Sequence, residues 1–426
     1  MWTVRPPSKI RGELKPPGDK SISHRAVLLG SVAQGKSTVQ GLVFGEDLLS
    51  SIHAMEALGV SIETKKGNLI IEGKGWEGLA EPQQVLDAGN SGTTTRLLLG
   101  ILSGRPFSAV LTGDASLRSR PMRRVVEPLS QMGAHFIGRG EGDRLPLAIQ
   151  GGSLRGIRFV SPVPSAQLKS ALLLAGLQAK GETLVEEETL SRDHTERMLS
   201  EMGVSVTREG NRIQVRGGSS LKGTSLKIPA DPSSAAFFVV AALLIPGSRI
   251  RIKEVCVNPT RTGLLEVLRE MGGKIQRINE KTLSGEPVAD LIVESSPLKG
   301  VSIDPKGIPS MIDEFPILCV AAACAEGMTT LRGASELRYK ESDRIRTLAQ
   351  ELHKMGVRVR EFEDGLEIQG GIPLKGAHCQ SYGDHRVAMA MTIAGLVAKG
   401  KTTVHETDCV ATSYPDFWQD LQRLVT

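Results

Sequence analysis

What most restricts the fold of this chain of 426 residues is that it repeats itself six times. An aliphatic or aromatic residue, a charged residue and a glycine recur as Ile10-Arg11-Gly12, Trp76-Glu77-Gly78, Leu154-Arg155-Gly156, Leu221-Lys222-Gly223, Leu298-Lys299-Gly300 and Leu374-Lys375-Gly376, the glycines lying 66 to 78 positions apart. A second marker keeps step with the first. Leu58-Gly59, Met132-Gly133, Met202-Gly203, Met271-Gly272 and Met355-Gly356 each end a helical pattern and precede an alternating strand pattern. Glycine there suits the left-handed position that closes a helix. Self-similarity of this period means supersecondary units that bury their apolar faces only against one another.

Between markers the order is constant: a short strand, a helix rich in Ala and Leu, a β-branched strand, an amphipathic helix and two alternating strands. In the third copy these fall at 165–176 for the apolar helix, 182–186 for the strand, 193–202 for the second helix and 204–215 for the paired strands. The unit is therefore βαβαββ. The sixth copy ends after its second helix, whereas 2–4 and 13–15 carry strand patterns without helices of their own, so the N-terminal residues are expected to complete the sixth copy. Six copies divide into three plus three, each set the size of an ordinary domain. The expected domains are 19–228, and 1–18 together with 229–426.

With 40% hydrophobic residues both domains have a core. The longest apolar run, 235–245, falls short of the roughly 20 residues a bilayer crossing requires, so it is a buried helix and no membrane partner is expected. Lys and Arg number 52 against 47 Asp and Glu, a balance of +5 without any basic block, which suits small anions and not nucleic acid. Cys256, Cys319, Cys324, Cys379 and Cys409 show neither paired spacing nor a neighbouring His cluster, so no metal and no disulfide is expected. Residues 1–9 lack the apolar segment of a secretory signal, which makes the cytoplasm the expected location.

The copies differ most in the ionisable residues that start their helices. First helices open on Asp19-Lys-Ser-Ile-Ser-His-Arg25, Asn90-Ser-Gly-Thr-Thr-Thr-Arg96, Ser165-Ala-Gln-Leu-Lys169, Asp231-Pro-Ser-Ser234, Asp313-Glu314 and Gly383-Asp-His-Arg386. Such ends carry free N–H groups and a positive dipole, and three of them converging make an anion site. Asp231, Ser233 and Ser234 read as plain capping residues. Lys20, Arg25, Arg96 and Arg386 do not, since a cation there opposes the dipole and needs an anionic partner. Second helices open on Leu117-Arg-Ser-Arg-Pro-Met122, Ser191-Arg-Asp-His194 and Arg338-Tyr-Lys-Glu-Ser-Asp-Arg344. If the last is helical, Lys340 and Arg344 share a face with Glu341 beside it.

Gly30-Ser-Val-Ala-Gln-Gly-Lys-Ser37 matches the phosphate-binding pattern GxxxxGK[ST] of nucleotide-binding enzymes. Its context is reversed, with a helix at 22–29 before it and a strand at 37–41 after it. The turn Ala394-Gly-Leu-Val-Ala-Lys-Gly-Lys-Thr402 of another copy has the same form, so the match is the ordinary helix-to-strand turn of the repeat.

Pro17-Gly-Asp-Lys-Ser-Ile-Ser-His-Arg25, Gly89-Asn-Ser-Gly-Thr93, Arg118-Ser-Arg-Pro-Met122, Lys340-Glu-Ser-Asp-Arg344 and Gly383-Asp-His-Arg386, in this order along the whole chain, closely resemble the 5-enolpyruvylshikimate-3-phosphate synthase family of enolpyruvyl transferases. The resemblance implies a two-domain inside-out α/β barrel of six βαβαββ repeats, three per domain. It also implies transfer of the enolpyruvyl group of phosphoenolpyruvate to the 5-hydroxyl of shikimate 3-phosphate, on the way to chorismate, with no cofactor and no metal. Lys20, Ser21, Arg25, Ser165, Gln167 and Lys340 would hold shikimate 3-phosphate. Gly92, Arg120, Arg344 and Arg386 would hold phosphoenolpyruvate, with Lys20 and Gln167 touching both; Asn90, Thr93, Arg192 and His385 are further candidates. Two phosphates and two carboxylates in one place call for several cations, and Arg meets such anions bidentately. Asp313 is the candidate base for the hydroxyl and Glu341 the candidate acid that protonates carbon, with Lys20 at the reacting groups. Since these residues fall in both domains, the anionic substrates are expected to drive domain closure in a monomer.

The chain departs from better-known members at Ala166, where a second Ser would stand beside the sugar phosphate, and at Thr412, where many have Lys. Arg192, next to Ser191, could replace the lost phosphate contact. The Ser-Ala-Gln motif and the 408–416 segment are more similar to the branch that includes glyphosate-tolerant enzymes. The related UDP-N-acetylglucosamine enolpyruvyl transferases would lack the Asp-Lys-Ser-Ile-Ser-His-Arg start and carry a reactive Cys in the first domain, where this chain has none before Cys256. A nucleotide-binding kinase would need ATP and magnesium, and a repeat scaffold would tolerate loss of Asp313 and Glu341.

Overall fold

A computed structural model describes residues 1–425. The chain forms two compact units, one of residues 18–228 with 283–286, the other of 1–17, 229–282 and the chain from 287 onward. The sequence gives no sign of the 283–286 excursion, a hairpin tip that belongs to the first unit: Ser284 Oγ accepts from Lys227 N at 2.9 Å, and Glu286 Oε1 lies 2.7 Å from His194 Nδ1.

Among the described residues each unit holds three sheets, and a similar strand order recurs in them. In the 18–228 unit the sheets run Ser225–Lys227, Gln34–Gln40, Asn68–Lys74, Ser61–Lys65; then Leu86–Asp87, Ser108–Thr112, Arg144–Gln150, His135–Gly138; then Arg158–Ser161, Glu182–Glu187, Arg212–Arg216, Val206–Glu209. In all three the first pair is parallel and the others antiparallel. A parallel pair requires a crossover; an inner helix supplies it in the second and third sheets, whereas in the first sheet Ser225–Lys227 comes from the far end of the unit. The other unit has Lys274–Leu283, Glu286–Glu294, Arg249–Cys256, Arg11–Leu14; then Met328–Leu331, Gly365–Gln369, Arg358–Phe362; then Trp2–Val4, Thr402–His405, His378–Gln380.

The N-terminal residues divide. Trp2–Val4 pairs antiparallel with Thr402–His405 and so joins the sixth copy. Arg11–Leu14, expected to go with it, pairs parallel with Arg249–Cys256 in the fourth copy instead, while Ser225–Lys227 opens the first copy beside Gln34–Gln40. The strands after Gly12 and Gly223 have thus exchanged places. Their markers are equivalent in sequence, so only pairing decides which sheet each strand completes.

The inner helices explain the composition. Pro232–Leu244 is buried along nearly its whole length, as an all-round apolar helix must be. Lys20–Val32, Gly92–Ser103 and Ala166–Gly176 are buried almost as fully, and the last two cross at Gly100, where a methyl would lie 2.3 Å from Ala171 O. The marker glycine has the same steric cause in the third copy: a methyl on Gly156 would meet Glu182 O at 2.1 Å. The glycines closing the second helices, Gly59, Gly133, Gly203, Gly272 and Gly356, all have φ between 86° and 115°. The helix Lys20–Val32 runs through Gly30 and the strand Gln34–Gln40 through Gly35-Lys36, so the nucleotide-like segment is the repeat's own helix-to-strand turn. Among the described residues, no helix is long and apolar enough to cross a membrane.

Candidate active site

In the 18–228 unit three inner helices bring their first turns together. Asp19, Ser91 and Ser165 cap them, accepting from Ile22 N at 2.8 Å, Thr94 N at 3.1 Å and Leu168 N at 3.4 Å. Side chains then link helix to helix. Gln167 accepts from Arg96 Nη1 at 2.6 Å and donates to Thr93 Oγ1 at 2.9 Å. Ser51 joins His24 Nδ1 at 2.8 Å to Thr94 Oγ1 at 2.7 Å.

The cations here fall into two kinds. Lys20, the first residue of its helix, is ion-paired with Asp47, a carboxylate the sequence did not single out. Arg25 is buried, with 2% exposure, and its donors reach only neutral oxygens: Thr195 Oγ1 at 2.6 Å, Ser170 Oγ at 2.8 Å and Ser21 O at 2.9 Å. Burial pushes its pKa down to about 10, so it stays charged at neutral pH. Arg120 sits in the bend between the helices Ala115–Ser119 and Arg123–Met132. Its Nη2 meets Asn90 Oδ1 at 2.6 Å and Ser116 Oγ at 3.1 Å, and its buried Nε has no partner. Gly92 leaves open the space beside these guanidinium groups, for a methyl there would stand 2.7 Å from Arg96 Nη1 and 3.7 Å from Arg120 Nη1. Arg192 is half-buried in the loop before the helix His194–Glu201, close enough for its charge to act on Arg25.

In the other unit Asp384 caps the helix His385–Val397 through Arg386 N at 2.9 Å and also binds the Arg344 guanidinium at 2.8 Å. Arg344 reaches Glu341 Oε2 at 2.6 Å, and Asp313 Oδ1 stands 3.7 Å from both Arg344 Nη1 and Lys340 Nζ. Four of the expected residues thus meet on one carboxylate–cation cluster organised by Asp384, which the sequence marked only as part of a cap. The expected shared helical face of Lys340 and Arg344 is corrected. A 3₁₀ turn covers Ser335–Tyr339, Lys340 is extended, and the helix begins only at Arg344. Asp343 is its cap, through Arg346 N at 3.1 Å, and a capping residue forces a break in helical backbone just before it.

Burial opposes the charge of Arg344, but Asp384 and Glu341 outweigh it and hold the guanidinium more firmly protonated than usual. Burial would likewise raise Asp384, yet Arg344 keeps it below the ordinary carboxylate range. Lys340 is lowered, chiefly by burial, with Asp313 opposing the shift. Arg386 lies in the first turn of its helix with 8% exposure, and no carboxylate among the described residues comes within ion-pairing distance of its side chain. His385 precedes it, buried. Among the described residues no group of three or more His, Cys, Asp or Glu could hold a metal ion.

Arg25, Arg120 and Arg386 are therefore buried cations with no carboxylate within ion-pairing distance among the described residues, an arrangement that is costly for an empty site. An α/β protein with such groups at its helix starts belongs to the class that takes up small, multiply charged anions. The chain matches the sequence profile of EPSP synthase (3-phosphoshikimate 1-carboxyvinyltransferase) over residues 4–421 and belongs to that family. It is 53% identical over 424 residues to the 3-phosphoshikimate 1-carboxyvinyltransferase of Geotalea uraniireducens strain Rf4, covering 100% of this chain and 99% of that one. The corresponding protein of Synechococcus sp. strain JA-3-3Ab is 54% identical, covering 100% and 97%. The fold is similar to a solved structure of EPSP synthase from Acinetobacter baumannii, with a TM-score of 0.89 and 46% identity over 99% of this chain and 98% of that one.

Proposed function

We infer that this chain is a transferase that moves the enolpyruvyl group of phosphoenolpyruvate to the 5-hydroxyl of shikimate 3-phosphate, with release of phosphate, as a step of aromatic amino acid biosynthesis. Family membership and the names of the relatives support the activity. The observation that carries it physically is the set of buried arginines, Arg25, Arg120 and Arg386, whose side chains have no carboxylate partner. Two substrates bearing two phosphates and two carboxylates supply the missing charge.

In this reading Lys20, Ser21, Arg25, Ser165, Gln167 and Lys340 hold shikimate 3-phosphate, while Gly92, Arg120, Arg344 and Arg386 hold phosphoenolpyruvate. Lys20 and Gln167 serve both, and Asn90, Thr93, Arg192 and His385 line the same places. Glu341 gives a proton to C3 of phosphoenolpyruvate, the 5-hydroxyl oxygen attacks C2, and Asp313 takes the hydroxyl proton. A tetrahedral adduct results. Loss of a C3 proton and of inorganic phosphate by C–O cleavage then leaves the enol ether. The atoms balance with neither metal nor nucleotide. Contacts at 2.6 and 3.7 Å tie Glu341 and Asp313 to Arg344, so a substrate anion that engages Arg344 alters both groups at once.

The inside-out α/β barrel, with three βαβαββ copies in 19–228 and three in 1–18 plus 229–426, belongs to the same reading and draws support from the six sheets. The same reading includes a monomeric state and a place in the cytoplasm, with the five cysteines, free in the structure, kept reduced. The test is to mix the pure protein with shikimate 3-phosphate and phosphoenolpyruvate in the presence of a chelator and to measure phosphate. Release that depends on both substrates is expected, and its absence overturns the proposal.

A further inference from the structure

The reaction scheme gives no task to Lys169, Glu187 and Glu196. Lys169 lies in the first turns of the helix Ala166–Gly176 with 2% side-chain exposure, and its Nζ stands 2.8 Å from Glu187 Oε2 and 2.8 Å from Glu196 Oε1. Burial alone would lower its pKa, but Glu196 and Glu187 hold it above the ordinary value. A buried charge cluster is a poor source of stability compared with apolar packing. Its use must lie in what it holds in place.

What it holds is the loop at 188–193. Ser191 N donates to Glu187 Oε2 at 3.2 Å, Ser191 Oγ donates to Glu187 Oε1, and Ser191 O accepts from Lys169 Nζ at 3.3 Å. Every polar group of Ser191 is bound by the Lys169–Glu187 pair. Arg192 follows directly. Three residues beyond it, Thr195 accepts from Arg25 Nε at 2.6 Å and bonds Ser170 Oγ at 2.6 Å, and Glu196 closes back onto Lys169. One ammonium therefore fixes both the residue before Arg192 and the helical turn that holds Arg25. An ammonium has three N–H donors, and Glu187, Glu196 and Ser191 O take all three. Lys169 has none left for a substrate.

We propose that Lys169, with Glu187 and Glu196, is a positioning centre that presents Arg192 and Arg25 to the phosphate and carboxylate of the sugar phosphate without touching it. The helix start at 165–167 offers one hydroxyl, Ser165, where Ala166 follows, so a cation from the loop has to stand at a fixed place. The proposal rests on the function inferred above.

The test uses the full chain and the variants Lys169→Met, Ser191→Gly and Arg192→Ala, alone and with Lys169→Met, each checked for folding by thermal unfolding. Lys169→Met raises KM for shikimate 3-phosphate about tenfold, while kcat and KM for phosphoenolpyruvate stay within about twofold. Ser191→Gly, which removes the hydroxymethyl side chain and its bond to Glu187 and leaves the backbone bonds to Glu187 and Lys169, gives a smaller effect in the same direction. Arg192→Ala raises the same KM in the native background but adds little to Lys169→Met, because the guanidinium is already misplaced. An unchanged KM for shikimate 3-phosphate in a folded Lys169→Met overturns the inference, as does an equal effect of Arg192→Ala in both backgrounds. If Lys169→Met does not fold, Ser191→Gly decides, and an unchanged KM there overturns it. The unaltered protein is assayed first: no turnover sinks the inferred function, whereas turnover with either of the other results sinks only the positioning role.

Discussion

In the proposed reaction Arg120 serves binding at the expense of the empty protein. The residue is buried, and the hydrogen bonds of its guanidinium go to Asn90 and Ser116 oxygens, with no carboxylate among the described residues within ion-pairing distance. Arg120→Met fills much of the same volume without the charge. It is expected to raise KM for phosphoenolpyruvate by roughly 30-fold or more, the loss of a desolvated charged contact worth about 2–5 kcal/mol. Thermal unfolding of the substrate-free variant should then occur at an unchanged or higher temperature, since an uncompensated charge has been removed. A fall in unfolding temperature comparable to that of a core truncation would show that Arg120 is structural. The sequence marked Arg120 as part of a charged helix start, and the resemblance gave it a ligand. What it could not show is that the guanidinium turns to Asn90, 30 positions away, and to Ser116.

Among elements, the helix joints at the candidate site are polar. His24 of Lys20–Val32, Ser51 of Glu46–Ala57, Thr94 of Gly92–Ser103 and Ser91, the cap of that helix, form one buried chain of 2.7–2.8 Å bonds. Burial pushes His24 down to about 3, below the 6.5 of an ordinary histidine. The unfolded chain takes up this proton as pH falls through 6.5 and the folded chain does not, so stability is complete above that pH and is lost below it. The slope is at most about 1.4 kcal/mol per pH unit for one proton. His24→Gln removes the titration. Its urea midpoint should fall less steeply between pH 6.5 and 4.5 than that of the unaltered protein, and parallel curves would exclude His24 as the cause. The helices themselves were legible from period and caps. The break at Lys340 was not, because a run of charges carries helix and turn propensities alike and Asp343 as a cap settles the matter only when its bond to Arg346 N is seen.

For the molecule as a whole, the candidate groups are carried by two compact units, Lys20, Arg25 and Arg120 by one and Asp313, Glu341, Arg344 and Arg386 by the other. A reaction that needs all of them on one substrate pair predicts that the radius of gyration falls when shikimate 3-phosphate and phosphoenolpyruvate analogue are both present, and not with inorganic phosphate alone. Solution scattering that shows no compaction with both ligands counts against substrate-driven closure. The repeat, the helix starts and the inner apolar helices were determined by the sequence itself, because period, capping and composition are local properties that each copy states again. The exchange of Arg11–Leu14 with Ser225–Lys227, the return of 283–286 to the first unit, and the split between cations that have carboxylate partners and cations that lack them were decided only in the tertiary structure. The reason is physical: strand pairing and charge compensation are contacts between residues distant in the chain, and equivalent copies offer several partners of equal local merit.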